Sequence, residues 1–116
     1  MSFQVDWNDA LASVNNNRDL LKLVIDAFLT ESAEIQDQIS TAITNQDTKL
    51  LQRNGHTLKG IMHSLGATSW SHPARQLEEL GAAGTTDGAQ SLADELNRHL
   101  PSLLEQLRTF SVEQSD

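Results

Sequence analysis

The chain of 116 residues contains no cysteine, and aromatic residues make up only 4% of it. Without cysteine, neither a disulfide framework nor a thiolate metal site can form. No apolar run approaches the roughly 18 to 20 residues that a membrane-spanning helix needs. Residues 1–6 also lack the basic segment and apolar run of a signal peptide. We therefore expect one domain, located in the cytoplasm and without a membrane anchor.

Acidic residues are absent from positions 48–77, although the chain has 16 of them and a net charge of −8. This window contains Lys49, Arg53, Lys59, Arg75 and three of the four histidines. A short basic region on an acidic chain favours the binding of a local anion. It argues against nucleic-acid binding, which uses an extended basic surface. The alternative is that one solvated helix face happens to be basic.

Helical periodicity extends along nearly the whole chain, and no segment alternates as a half-buried strand does. The pattern predicts five helices: Asp6–Val14, Arg18–Asn45, Asp47 to about Gly66 or Ala67, about Ser71 to the Gly81–Gly84 stretch, and from about Thr86 onwards. Asp6, Asn17 and Asp47 are suitable N-caps for the first three. Pro101 should kink the fifth. We expect an all-α fold over residues 1–110, an antiparallel four-helix bundle with a short extra N-terminal helix, and a frayed tail over 111–116.

Two of the predicted helices carry a long apolar stripe at helical spacing, as bundle helices do. The stripe of the second helix consists of Leu21, Ile25, Phe28, Ser32, Ile35, Ile39 and Ala42. The stripe of the fifth consists of Leu92, Leu96, Leu100, Leu103, Leu107 and Phe110.

The third predicted helix contains the pentad His56-Thr57-Leu58-Lys59-Gly60. At about 100° per residue, its apolar and basic residues fall on opposite faces. The basic face consists of Lys49, Arg53, His56, Lys59, Gly60, His63 and Ala67. A glycine inside a helix costs about 1 kcal/mol relative to alanine. The simplest explanation for Gly60 is that a bulky partner must reach the ring of His56.

Three interpretations of His56 compete. A buried core histidine is disfavoured, because His56 lies opposite the leucines of its helix. A metal site is disfavoured, because His56 and His63 are seven residues and roughly 10 Å apart and no acidic residue flanks them. The third is a nucleophile toward phosphorus, because an exposed imidazole has a pKa of about 6.5 and so keeps a free ring nitrogen at neutral pH.

The third interpretation predicts a carrier and not an enzyme. Lys59 can hold phosphoryl oxygens through charge-assisted hydrogen bonds. The chain has neither a carboxylate trio for Mg²⁺ nor a glycine-rich nucleotide loop, so it can only accept a phosphoryl group and hand it on. We expect no cofactor on this chain, with Mg²⁺ bound by the partner.

The pentad, the following Leu65-Gly66-Ala67, and then Ala74, Leu77 and Glu78 resemble the histidine-containing phosphotransfer (HPt) domain of multistep phosphorelays. The segment from Asn17 to Ser32 is similar to the long second helix of that family, and Asn45-Gln46-Asp47 to the turn after it. The resemblance covers nearly the whole chain.

The resemblance implies that His56 accepts a phosphoryl group from a receiver-domain aspartate and passes it to another receiver. It implies that Lys59 steadies the phosphoryl oxygens, that Gly60 keeps the approach open, and that Gly66 allows tight packing or a turn at the helix end. The implied partners are response-regulator receiver domains and a hybrid histidine kinase. The chain is expected to be a monomer and, from its starting Met and full-domain length, to stand alone.

Several residues depart from the family pattern. His63 stands where the family usually has a small residue; it could narrow the choice of receiver, bond a phosphoryl oxygen or simply be solvated, and we favour the last. Asn54 and Gly55 stand where the family tends to have alanines. Gly55 and Gly60 together put two glycines within six residues, so the helix is expected to be locally soft. Glu78 stands where some members have a glutamine beside the histidine. Because a carboxylate would add negative charge near a phosphoryl group, we expect Glu78 to take no direct part.

Docking is expected on the surface around His56, formed by Lys49, Arg53, His63 and Ala67. The alternative function is an adaptor that binds receiver domains through this face without relaying phosphate. The retained histidine and the costly Gly60 argue against the adaptor.

Overall fold

The computed structural model describes residues 3–113, and side-chain exposure for residues 3–110. Its helices are α1 (Trp7–Ala12), α2 (Arg18–Thr44), α3 (Thr48–Ser64), α4 (Ser71–Ala82) and α5 (Ala89–Glu113), with a short 3₁₀ turn at Thr68–Trp70. No strand occurs between residues 3 and 113. The predicted all-α bundle with a short N-terminal helix is confirmed.

The predicted N-caps begin the first three helices. The side chains of Asp6, Asn17 and Asp47 each accept a hydrogen bond from the backbone amide three residues later, at 3.0–3.1 Å. Each such bond satisfies an amide that has no partner inside the helix, which contributes about 1 kcal/mol. These local contacts fix where α1, α2 and α3 start.

The core lies between α2, α3, α4 and α5 and consists mainly of aliphatic side chains. Both predicted apolar stripes face this core. Among their residues, only Ile35 and Leu92 are partly exposed, and the others are buried. Trp70 is also buried, and its indole N–H donates to the carbonyl oxygen of His99 at 3.1 Å. Burying a large apolar side chain contributes roughly 1.5 to 3 kcal/mol, so this core accounts for the assembly of the bundle.

Helix α3 ends at Ser64, earlier than predicted. Gly66 follows with a φ of 67°, and the amide of Ala67 donates to the carbonyl oxygen of Met62 at 2.7 Å. This left-handed glycine turn terminates helices and directs the chain away from the helix axis. Ala67 is consequently buried with 0% exposure, and its predicted place on the docking surface is wrong.

The turn at Gly66 also holds the N-terminal segment. The amide of Asp6 donates to the carbonyl oxygen of Gly66 at 2.8 Å, and a Cβ at position 66 would collide with the carbonyl oxygen of Asp6. Trp7, at the start of α1, stacks on Phe110 of α5 with the ring centroids 4.9 Å apart. α1 therefore packs across the end of the bundle through backbone and aromatic contacts.

The C-terminal helix extends further than predicted. α5 continues to Glu113, past the expected start of the tail at residue 111, and residues 114–116 lie outside the described part of the chain. Pro101 lies inside α5, where the expected kink stays a prediction. Over residues 3–113, no helix combines the length and apolar character needed to cross a membrane.

Candidate functional site

The basic face of α3 is exposed to solvent and its apolar face is buried. The side chain of His56 is 69% exposed and that of Lys59 is 27% exposed, while Leu51 and Leu58 are buried. The exposure of His56 excludes a buried core histidine. Lys49, Arg53 and His63, which were predicted to surround it, are exposed as well.

Helices α3 and α4 approach each other so closely that their backbones touch, and two glycines make this possible. A Cβ at Gly55 of α3 would lie 2.6 Å from the backbone nitrogen of Glu78 and 2.9 Å from the carbonyl oxygen of Ala74. A Cβ at Gly81 of α4 would lie 2.5 Å from the backbone nitrogen of Gln52. Gly55, which is expected to soften α3, therefore allows α3 to pack closely against α4, because a side chain at this position would collide with the α4 backbone.

This close approach brings Glu78 directly against the two central residues of the basic face. Its Oε2 lies 2.6 Å from Nδ1 of His56, and its Oε1 lies 2.6 Å from Nζ of Lys59. The expectation that Glu78 takes no direct part in the site is wrong. So is the statement that no acidic residue flanks His56, because the flanking carboxylate comes from α4 and not from α3.

Glu78 is ionised at neutral pH. The hydrogen bond from Lys59 holds the pKa of the Glu78 carboxyl below its usual value, and the hydrogen bond with His56 lowers that pKa further, against the opposing effect of burial. The Glu78 side chain is 18% exposed, so the two bonds form in partly desolvated surroundings. The positive charge of Lys59 thereby compensates the carboxylate beside the imidazole.

The carboxylate decides which nitrogen of a neutral His56 ring carries the proton. An ionised carboxylate can only accept hydrogen bonds, so a neutral imidazole facing it must donate from Nδ1. The lone pair then resides on Nε2, the other ring nitrogen, in a ring that is mostly exposed. This arrangement offers a free, oriented nitrogen nucleophile to an approaching molecule.

The surface beside the ring is open at Gly60. A Cβ at this position would have no atom within 4 Å apart from those of its own helix neighbourhood. His63 is one turn away, and its Nδ1 lies 3.3 Å from the hydroxyl of Thr68. In the part of the chain that the structure describes, no three His, Cys, Asp or Glu residues come together as a metal site would require.

The comparisons with known proteins identify the family. The sequence model of the Hpt domain matches residues 23–110, which is most of the chain, so the chain belongs to the Hpt domain family. Hpt domains carry phosphoryl groups in phosphorelays that also contain histidine kinases and receiver domains. Among curated proteins, no sequence matches this chain.

A solved structure has the same fold. The crystal structure of histidine-containing phosphotransfer protein B (HptB) from Pseudomonas aeruginosa PAO1 superimposes with a TM-score of 0.84. The match covers 94% of this chain and 95% of that chain, at 19% sequence identity. At this level of identity the similarity shows the fold alone.

Proposed function

We propose that this member of the Hpt family is a phosphocarrier in which Nε2 of His56 accepts a phosphoryl group from the aspartate of one receiver domain and passes it to another receiver. The observation that carries the proposal is the exposed His56 ring, whose Nδ1 is engaged by Glu78 at 2.6 Å. That bond leaves Nε2 as the nitrogen with an available lone pair.

The transfer step needs little machinery from this chain. The Nε2 lone pair attacks phosphorus, the P–N bond forms, and the P–O bond to the receiver aspartate breaks, so that the aspartate leaves as a carboxylate. Positioning and charge neutralisation dominate the catalysis of such transfers. Mg²⁺ and the acidic residues that bind it would come from the receiver, and this chain would act as a carrier without catalytic activity of its own.

Lys59 is the proposed partner of the phosphoryl oxygens. Its Nζ is bonded to Glu78 at 2.6 Å in the unphosphorylated protein. An ammonium group has three donors, so Lys59 can keep this bond and still donate to a phosphoryl oxygen on the neighbouring ring. A charge-assisted bond of this kind is about twice as strong as a neutral one.

The proposed docking surface is the exposed face around His56, comprising Lys49, Arg53, Gly60 and His63. Its basic side chains complement the acidic pocket that a receiver uses to bind Mg²⁺. Gly60 supports the proposal independently. A glycine destabilises a helix interior, and no neighbouring group requires one here, because a Cβ at position 60 would meet no atom within 4 Å. We propose that the chain acts as a cytoplasmic monomer with receiver domains and a hybrid histidine kinase as partners.

A two-receiver relay tests the function. A first receiver domain is phosphorylated with acetyl phosphate and Mg²⁺, freed of the donor, and mixed with this chain and a second receiver. We expect the phosphoryl group to reach the second receiver only when this chain is present, and not with the His56→Gln variant. Equal transfer with and without the chain, across a panel of receivers, would contradict the carrier function.

The adaptor alternative predicts a different result in the same samples. An adaptor would bind receivers with equal affinity as wild type and as His56→Gln, and would never acquire a phosphoryl group. Calorimetric titration with each receiver, performed beside the relay assay, separates binding from transfer.

A further inference from the structure

We propose that Glu78 is a positioning residue that keeps the proton on Nδ1 of His56 throughout the phosphorylation cycle and so shortens the life of the phosphohistidine in favour of onward transfer. The inference rests on the proposed function, because it concerns the same histidine. Its basis is the bridge that the carboxylate of Glu78 makes between His56 and Lys59.

The carboxylate is held in place from several sides. One oxygen is bonded to His56 and the other to Lys59, each at 2.6 Å. Its own backbone packs against Gly55, where a Cβ would lie 2.6 Å from the Glu78 nitrogen and 2.9 Å from its Cα. Since α3 and α4 touch at this point, the carboxylate cannot withdraw from the ring by a small movement of its backbone.

Phosphorylation of Nε2 changes the hydrogen bond that Nδ1 of His56 can form with Glu78. When Nε2 is bonded to phosphorus, a neutral ring would carry a lone pair on Nδ1. That lone pair would face the Oε2 lone pairs of Glu78 with no hydrogen between them, which leaves two partly desolvated acceptors unsatisfied. If Nδ1 keeps its proton, the ring becomes a phosphoimidazolium, and its hydrogen bond to the carboxylate, which is already charge-assisted, becomes an ion pair.

The protonated ring is the better leaving group. On transfer to the next aspartate, the P–N bond breaks and its electron pair returns to Nε2, so the ring departs as neutral imidazole with its Nδ1 proton in place. A ring without that proton would have to depart as an imidazolate. With Glu78 in contact, phosphoryl uptake and release both proceed without exchange of a proton with solvent.

Glutamine at position 78 would reverse which nitrogen of the His56 ring carries the proton. Lys59 can only donate, so it would take the amide oxygen and leave the amide NH₂ facing Nδ1 of His56. An NH₂ group favours a lone pair on Nδ1. The free ring would then carry its proton on Nε2, the nitrogen that must attack, and the phosphorylated ring would be stable without a proton.

The first test compares Glu78→Gln with Glu79→Gln, an exposed position on the same helix that removes the same charge. Each protein is phosphorylated by a receiver domain, separated from it, and followed by intact mass at a pH of about 8, above the usual pKa of imidazole. We expect the phosphohistidine of Glu78→Gln to last about tenfold longer, as the loss of one charge-assisted hydrogen bond predicts. The Glu79→Gln protein should match the wild type. Equal lifetimes in all three proteins would overturn the proposal.

The second test needs no phosphoryl group. Nitrogen-15 spectra of the imidazole in the free protein at the same pH report which ring nitrogen is protonated. We expect the Nδ1–H tautomer in the wild type and in Glu79→Gln, and the Nε2–H tautomer in Glu78→Gln. The same tautomer in the wild type and Glu78→Gln would overturn the positioning role of Glu78 but not the proposed function. Failure of the wild type to accept phosphate from any receiver would overturn the proposed function itself.

Discussion

Replacing Gly55 with alanine should destabilise the protein although alanine is the better helix former. The added Cβ would lie 2.6 Å from the nitrogen of Glu78 and 2.9 Å from the carbonyl oxygen of Ala74. Both are backbone atoms, which cannot rotate away as the end of a side chain can. The contact between α3 and α4 must therefore open.

The magnitude follows from two opposing effects. Alanine in place of glycine stabilises a helix interior by about 1 kcal/mol. Inserting a methyl group into a tightly packed contact costs roughly 1 to 3 kcal/mol. The net free energy of unfolding should fall by up to about 2 kcal/mol in Gly55→Ala, and the separation of the helices should weaken the contact between Glu78 and His56.

Gly60→Ala is the matched control in the same helix. A Cβ at Gly60 meets no atom within 4 Å, so this variant should gain the full helix preference of about 1 kcal/mol. Urea unfolding followed by circular dichroism should therefore separate the two variants by roughly 1 to 3 kcal/mol. Equal stabilisation by both substitutions would refute the argument that Gly55 permits the close approach.

Two further predictions concern stability. The folded state lowers the pKa of Glu78 below the ordinary 4.5. The wild type should therefore be more stable than Glu78→Gln above pH 4.5, and this advantage should be lost as the pH falls through the lowered pKa. A difference in urea midpoint that stays constant from neutral to acid pH would contradict this. Gly66→Ala should cost more than Gly84→Ala, because both glycines have a positive φ, worth about 1 to 2 kcal/mol of strain, but only a Cβ at Gly66 collides with Asp6. Equal losses in thermal unfolding of these two variants would show that the contact with Asp6 contributes nothing.

The sequence predicted the bundle well because its local signals are strong. The caps Asp6, Asn17 and Asp47 fix where three helices start, and the apolar stripes of α2 and α5 face the core as expected. The periodicity predicts an end of α3 at Gly66 or Ala67, whereas the helix ends at Ser64 because the left-handed turn at Gly66 terminates it. The helical pattern therefore predicts Ala67 on the surface, although Ala67 is buried.

The site was predicted in part. The basic face with His56, Lys59 and Gly60 follows from the helical spacing alone. The contact with Glu78 could not be derived in this way, because it depends on the distance between two helices. Gly55 and Gly81 carried that information as glycines inside helices, but nothing in the linear pattern says that the two positions face each other across one interface.

The proposed phosphocarrier function depends on His56 as the residue that carries the phosphoryl group. The most direct measurement is the intact mass of the wild type, His56→Gln and His72→Gln after mixing with a phosphorylated receiver domain and Mg²⁺. His72 is an exposed histidine on α4 that lies outside the proposed docking surface, so His72→Gln controls for loss of an imidazole. We expect one acid-labile phosphoryl group on the wild type and on His72→Gln, and none on His56→Gln. A phosphoryl group that persists in His56→Gln, or disappears only in His72→Gln, would contradict this role of His56.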